Sequence, residues 1–271
     1  MSGNNLKRIF ADVVSIDSWH TPFDGRTGTA TVHIDAVFGE ARLGGEANAP
    51  IRFRLSLRRA DVVVAIAPTE PLAVDKGSVA RNQSISSVKI ARRSETSTDI
   101  NMSANAKVAF PVVAAAAASG GLGMKQASSE VVSSEEQMRL VLITQSKTHD
   151  GHYRWECKPT LGAKLNGRPW DPEKDPRFSV KDLRKSANQI QGSMRIEVRC
   201  RREDLIIEDI DIKDQGILEK ISNSYNLKNK IAAVEAYLTH ILSSENLEFA
   251  NISDPFGSIC LADVMVEESG G

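Results

Sequence analysis

At 271 residues, with 34 basic and 35 acidic side chains and a formal net charge of -1, the chain has no global field to draw it toward nucleic acid or an anionic membrane. Any such binding must come from local patches, and the length suffices to bury a core without disulfide or metal staples. Three cysteines, Cys157, Cys200 and Cys260, cannot all pair and none stands in a C-x-x-C arrangement, which reads as buried thiols in a reducing compartment.

Residues 1–8 are polar and basic and lead into an alternating stretch, so they lack the apolar core of a signal peptide. Nowhere do roughly 18 or more apolar residues run together as a membrane helix requires. The expectation is a cytoplasmic protein. Strand signals begin at residues 9–16 and are followed by a turn-rich stretch over 21–28. In 29–38, Ala30, Val32, Ile34, Ala36 and Phe38 alternate with Thr31, His33 and Asp35, the period of two expected when one face of a sheet is buried.

After a glycine-bearing loop, Ile51, Phe53, Leu55 and Leu57 alternate with Arg52, Arg54, Ser56 and Arg58. A polar break at Arg59 and Asp61 leads to Val62, Val63, Val64 and Ile66, a second strand or a continuation past a bulge, ended by Pro68 and Pro71. Ile85, Val88 and Ile90 could supply a short strand.

Residues 94–146 depart most from an ordinary domain. Ile100, Met102, Ala104, Ala106, Val108, Phe110 and Val112 line one face, opposite Asn101, Ser103, Asn105 and Lys107. Five alanines from Ala114 to Ala118 and a Gly120-Gly121-Leu122-Gly123 stretch follow, then a polar return to the apolar run 138–143. This predicts two antiparallel arms around a small-residue loop.

Beyond it, 153–158 reads as a strand entered by a turn at Asp150 and Gly151, and 161–178 as irregular, pinned by Trp170. Met194, Ile196, Val198 and Cys200 alternate with Arg195, Glu197, Arg199 and Arg201, and a turn near Glu203 and Asp204 leads into 205–212. Leu227, Ile231, Val234, Leu238, Ile241 and Leu242 form one helical stripe, with Asn226 as N-cap. Asp254, Pro255 and Gly257 make a turn before a last apolar segment, 259–266. The fold expected is mainly β, a β-dominated α+β antiparallel sandwich of about eight to ten strands with one C-terminal amphipathic helix on an edge or end. One domain over 1–271 is expected, with 1–93, 94–146 and 147–271 as the alternative division.

No motif commits the chain to a reaction. His149, His152, Glu156 and Cys157 include metal-ligand types, but their spacing is that of a polar hairpin tip, so neither metal nor cofactor is expected. The glycine cluster at 120–123 lacks the Lys-Ser/Thr of a phosphate loop. If the strands bearing Arg52, Arg54, Arg195 and Arg199 share a sheet, their outer face would be basic and could contact phosphate oxygens, although Glu197 interrupts it and no aromatic residues interleave.

The leading reading is a noncatalytic protein-protein interaction or assembly module, self-associating through strand edges with Ile100, Met102, Val108 and Phe110 on the assembling arm. The alternatives are a soluble pore former that inserts the 94–146 hairpin into a membrane, and a nucleic-acid binder or enzyme whose site is made only by folding.

Overall fold

The computed structural model describes residues 6–7, 10–45, 51–81, 87–94, 132–139, 141–186, 192–212 and 223–267. The protein is mainly β, with antiparallel sheets in a sandwich-like arrangement and a single α-helix among those residues. Its contacts divide it into two units: Met1–Ser87 with Arg139–Gly271, which we call the body, and Val88–Met138.

Among the described residues the body holds three sheets. In the largest, β1 (Leu6–Lys7), β15 (Ser258–Glu267), β13 (Ser193–Arg201), β6 (Ala60–Ala65), β11 (Tyr153–Pro159) and β10 (Val141–Lys147) lie side by side in that order, each antiparallel to its neighbour. The second has the order β2 (Val14–His20), β3 (Thr29–Phe38), β12 (Phe178–Asp182), β7 (Leu72–Val74). The third has the order β14 (Leu205–Ile212), β5 (Ile51–Leu57), β4 (Ala41–Gly44).

Alternation in the sequence becomes alternation in burial. Every second residue of β3 from Ala30 to Phe38 is buried, as are Ile51, Phe53, Leu55 and Leu57 of β5 and Met194, Ile196, Val198 and Cys200 of β13. The turn-rich 21–28 closes the β2–β3 hairpin: the Asp24 carboxylate accepts from the backbone N–H groups of Arg26 and Thr27, and Gly28 adopts φ 63, which a side chain would strain. Arg58 and Arg59 form a corner, not a bulge within one strand, because β5 and β6 belong to different sheets.

The first two sheets pack through large aromatic side chains. Trp155 of β11 is fully buried, stacks on Phe178 of β12 at 6.1 Å between centroids and meets Trp170 edge-on at 6.5 Å. Trp170 anchors the irregular 161–177 stretch by donating its indole N–H to the Ile34 carbonyl at 2.5 Å. The buried Arg177 guanidinium lies 4.5 Å from the Trp170 ring centroid, and burial pulls its pKa down to about 10.

The helix α1 (Asn223–Ser244) packs on β5 and β14 of the third sheet, with Tyr237 edge-on to Phe53 at 5.7 Å. Val234, Leu238 and Leu242 form its buried stripe. Leu227 lies outside that stripe, 55% exposed, and the helix starts three residues before the expected cap, Asn226.

The second unit contains β8 (Ser87–Ser94) and β9 (Val132–Arg139), which form a two-stranded sheet of their own. The apolar run expected over 138–143 is thus divided, with β9 ending at Arg139 and β10 starting at Val141.

Candidate functional site

The register of the largest sheet gathers several loops at one end of the body. Val141 opposes Pro159, Cys157 opposes Ala60, Arg199 opposes Asp61 and Arg201 opposes Ser258, so β10, β6 and β15 begin where β11 and β13 finish. A cleft of about 680 Å³ opens there, lined by the Arg58–Arg59 corner, Lys158, Pro159, Gly162, Ala163, Glu203 and Asp204.

Most charges in this cleft are mutually satisfied. The buried Asp204 carboxylate accepts from Arg59 Nε at 3.2 Å and Nη2 at 3.0 Å, and from the Arg201 backbone N–H at 3.3 Å. Lys158 Nζ lies 2.5 Å from a Glu156 oxygen, while Glu203 is shared at 3.4 Å by Arg59 and Arg201. The exposed Arg58 uses its backbone N–H on the Asp204 carbonyl, and its guanidinium has no ion-pair partner among the described residues.

The loops around the cleft carry apolar tips. Leu161, between Pro159 and Gly162, is 60% exposed and Phe256 is 70% exposed, the two highest values among the large hydrophobic side chains described. The Phe256 turn is tied to the cleft wall, because the Pro255 carbonyl accepts from the Glu203 N–H at 2.9 Å and the Gly257 carbonyl from the Arg202 N–H at 3.0 Å. Leu142, which is 39% exposed, stands opposite Lys158 on the neighbouring strand.

The four arginines expected on a basic face are not brought together. Arg52 and Arg54 lie on β5 in the third sheet, and Arg195 and Arg199 on β13 in the largest. The chain leaves the third sheet at the Arg58–Arg59 corner, so β13 pairs with β6 instead of β5 and the shared sheet does not form. Arg54 is ion-paired with Glu40 at 3.0 Å and with Asp209.

Around β13 the acidic residue that interrupts the arginines becomes the centre of a network. The buried Glu197 carboxylate takes Arg195 Nε at 3.1 Å and also Arg199. Arg195 reaches the buried Asp263 at 2.7 Å, and Arg199 reaches Glu248 at 3.1 Å. A shift of register between Val198 and Arg199 falls within this network.

The thiols are inert. Cys157, Cys200 and Cys260 are free and buried, and loss of solvation pushes all three pKa values up, that of Cys260 to about 12. His149 is fully exposed at a turn closed by the Gly151 N–H on the Thr148 carbonyl. Among the described residues no group of three or more His, Cys, Asp or Glu side chains is arranged to hold a metal ion.

On the outer face of the second sheet, Asp17 and Asp35 oppose each other in register beside the parallel-stacked pair Trp19 and His33. Burial pushes the Asp35 pKa up, against the pull of Arg168 at 3.1 Å and with a further push from Asp17. Its Oδ1 is buried without a hydrogen-bond partner among the described residues. A carboxyl raised above its ordinary 3.8 holds its proton more tightly in the folded chain, so its contribution to stability is greatest below that value and declines as pH rises through the raised pKa. Asp35→Asn is therefore expected to flatten this part of the pH dependence, read as urea midpoints from about pH 3 to 7. An unchanged difference between the two proteins across that range would contradict the assignment.

Ile100, Met102, Val108 and Phe110, expected on the assembling arm, lie outside the described residues. The cleft and its tips escaped the sequence reading, although a Pro-Phe-Gly turn was a legible signal, because a large aromatic held at a turn tip has few neighbours to cover it.

No protein-family model matches the chain, and no curated protein matches it. Among solved structures it is similar to the Clostridium perfringens NetB toxin in the membrane-inserted form, at 9% identity over 69% of this chain and 82% of that one. The TM-score is 0.28, a level of superposition from which neither fold nor action follows.

Proposed function

We propose that the protein is a noncatalytic assembly module in which the β8–β9 ribbon joins copies of the chain to one another. The observation that carries this reading is that β8 and β9 pair with each other and, among the described residues, with no other strand. A lone two-stranded ribbon is marginal in water, and each outer edge presents unpaired N–H and C=O groups. Strands from neighbouring copies would satisfy those groups by edge addition.

Light scattering during size exclusion tests the reading. An oligomer is expected at micromolar concentration, and Ile90→Pro in β8, which removes a ladder donor, should shift the population toward monomer while the body stays folded. A strict monomer at every concentration would remove the proposal.

A second, more specific reading is that assembled ribbons cross a bilayer. It is favoured by the alternation from Ile100 to Val112, which exceeds the roughly 9 to 11 residues that a spanning strand needs. Dye release from liposomes by the intact protein, lost on deletion of residues 114–123, is the expected result. No leakage by an assembled, intact protein would leave the first reading standing and discard this one.

A further inference from the structure

We infer that the end of the body bearing the Arg58, Lys158 and Phe256 loops docks on the anionic surface of a phospholipid bilayer, with Leu161 and Phe256 entering the headgroup boundary. Three features of that end converge. The two most exposed large apolar side chains described in the protein, Phe256 at 70% and Leu161 at 60%, stand on separate loops around one cleft. Each loop has a small footprint and a turn-forming neighbour, Gly257 or Gly162, so its tip can enter an interface without exposing a hydrogen-bonded strand.

Charge supplies the second feature. Arg58 is exposed with no ion-pair partner among the described residues, and Arg201 has a single long contact to Glu203 at 3.4 Å. Of the two acids that line the cleft, Asp204 is buried against Arg59, while the exposed Glu203 is shared by Arg59 and Arg201 and leaves Arg58 to the solvent. Arg58 thus offers an arriving phosphate oxygen a guanidinium that no carboxylate among the described residues holds.

The third feature is the pairing of the two. Leu142 stands opposite Lys158 across the β10–β11 pair, which sets an exposed apolar side chain beside a cationic one that lines the cleft. Cations flanking apolar tips suit a surface that is anionic outside and apolar a few ångströms deeper, where apolar burial and headgroup attraction act together. This docking does not require the β8–β9 ribbon, so it stands or falls apart from the assembly and pore readings.

The test is flotation of the full chain with vesicles of phosphatidylcholine alone or containing roughly one-third phosphatidylserine, in about 0.1 M salt. The wild-type protein is expected to float with the anionic vesicles. Leu161→Ser with Phe256→Ser should weaken that association roughly tenfold or more. Arg58→Ala should weaken it about fivefold on anionic vesicles and leave the neutral ones unaffected. All three sites are exposed, so thermal midpoints should stay near wild type and report that the variants are folded.

Failure of the wild-type protein to float with anionic vesicles would overturn the inference, as would flotation of the double variant at wild-type strength. Loss of flotation only on deletion of residues 114–123 would assign lipid binding to the ribbon segment and reject docking by the body. Retained flotation of that deletion, with dye release abolished, would support docking and insertion as separate acts.

Discussion

Trp155→Ala is expected to remove about 3–5 kcal/mol of folding free energy, the largest single-residue effect in the body. Trp155 lies on β11 of the six-stranded sheet, is fully buried, and contacts Phe178 of the second sheet and Trp170 of the intervening loop. Truncation leaves a cavity between two sheets that are each held by their own ladders and so collapse only partly. It also strips the Ala80 carbonyl of the indole N–H that reaches it at 2.9 Å, a loss of about 1–3 kcal/mol if no water enters. Urea titration should show a lower midpoint with an unchanged slope. Trp155→Phe should fall between the two, because it keeps the ring contacts and loses the hydrogen bond. A loss below about 1 kcal/mol for alanine would mean that the sheets do not meet through this side chain.

Glu197→Ala is expected to cost about 2–4 kcal/mol, somewhat below the usual loss for breaking a buried ion pair because its arginine partners are partly solvated. Side-chain exposures of 28% and 35% for Arg195 and Arg199, against 2% for Glu197, place the carboxylate at the dry centre of the network. Removing it leaves two guanidinium groups close together, with Asp263 and Glu248 each able to compensate only in part. Glu197→Gln should cost less, since a neutral acceptor remains. A melting point lowered by roughly 2–4 °C per kcal/mol is the readout. A cycle with Arg199→Ala should give a double variant less destabilised than the sum of the single ones. Strict additivity would argue that the two side chains do not act together.

These two positions also mark where sequence reading succeeds and where it stops. The alternation through β3, β5 and β13 was legible because a half-buried strand must place apolar residues on every second position, and burial follows that pattern from Ala30 to Phe38. Glu197 broke the pattern in β13: its partners Arg195 and Arg199 stand two residues to either side, but its burial depends on the strands and acids that close over the network, which the local sequence does not show. Asp263 and Glu248 lie far along the chain from it.

Sheet membership was similarly hidden. Arg52 and Arg195 look equivalent in sequence, yet the Arg58–Arg59 corner sends their strands to different sheets, a choice made by long-range pairing. The strand Phe178–Asp182 was missed because its alternation is short and follows a proline-rich stretch, and its pairing with β3 and β7 compensates for weak local propensity. The helix stripe was read correctly at Val234, Leu238 and Leu242, but its exposed first turn extends the periodicity beyond the buried contact. At the cleft, exposure of Leu161 and Phe256 depends on what fails to cover them, which a linear pattern does not encode.

The deep placement of Cys157, Cys200 and Cys260 gives the chain a chemically silent exterior toward thiol reagents while it stays folded. A single cysteine introduced in β8 or β9 would then carry a spin label or fluorophore without removal of any native residue. Distances between such labels on neighbouring molecules could follow the ribbon from free chain to assembly, with the native thiols reporting only if the body opens.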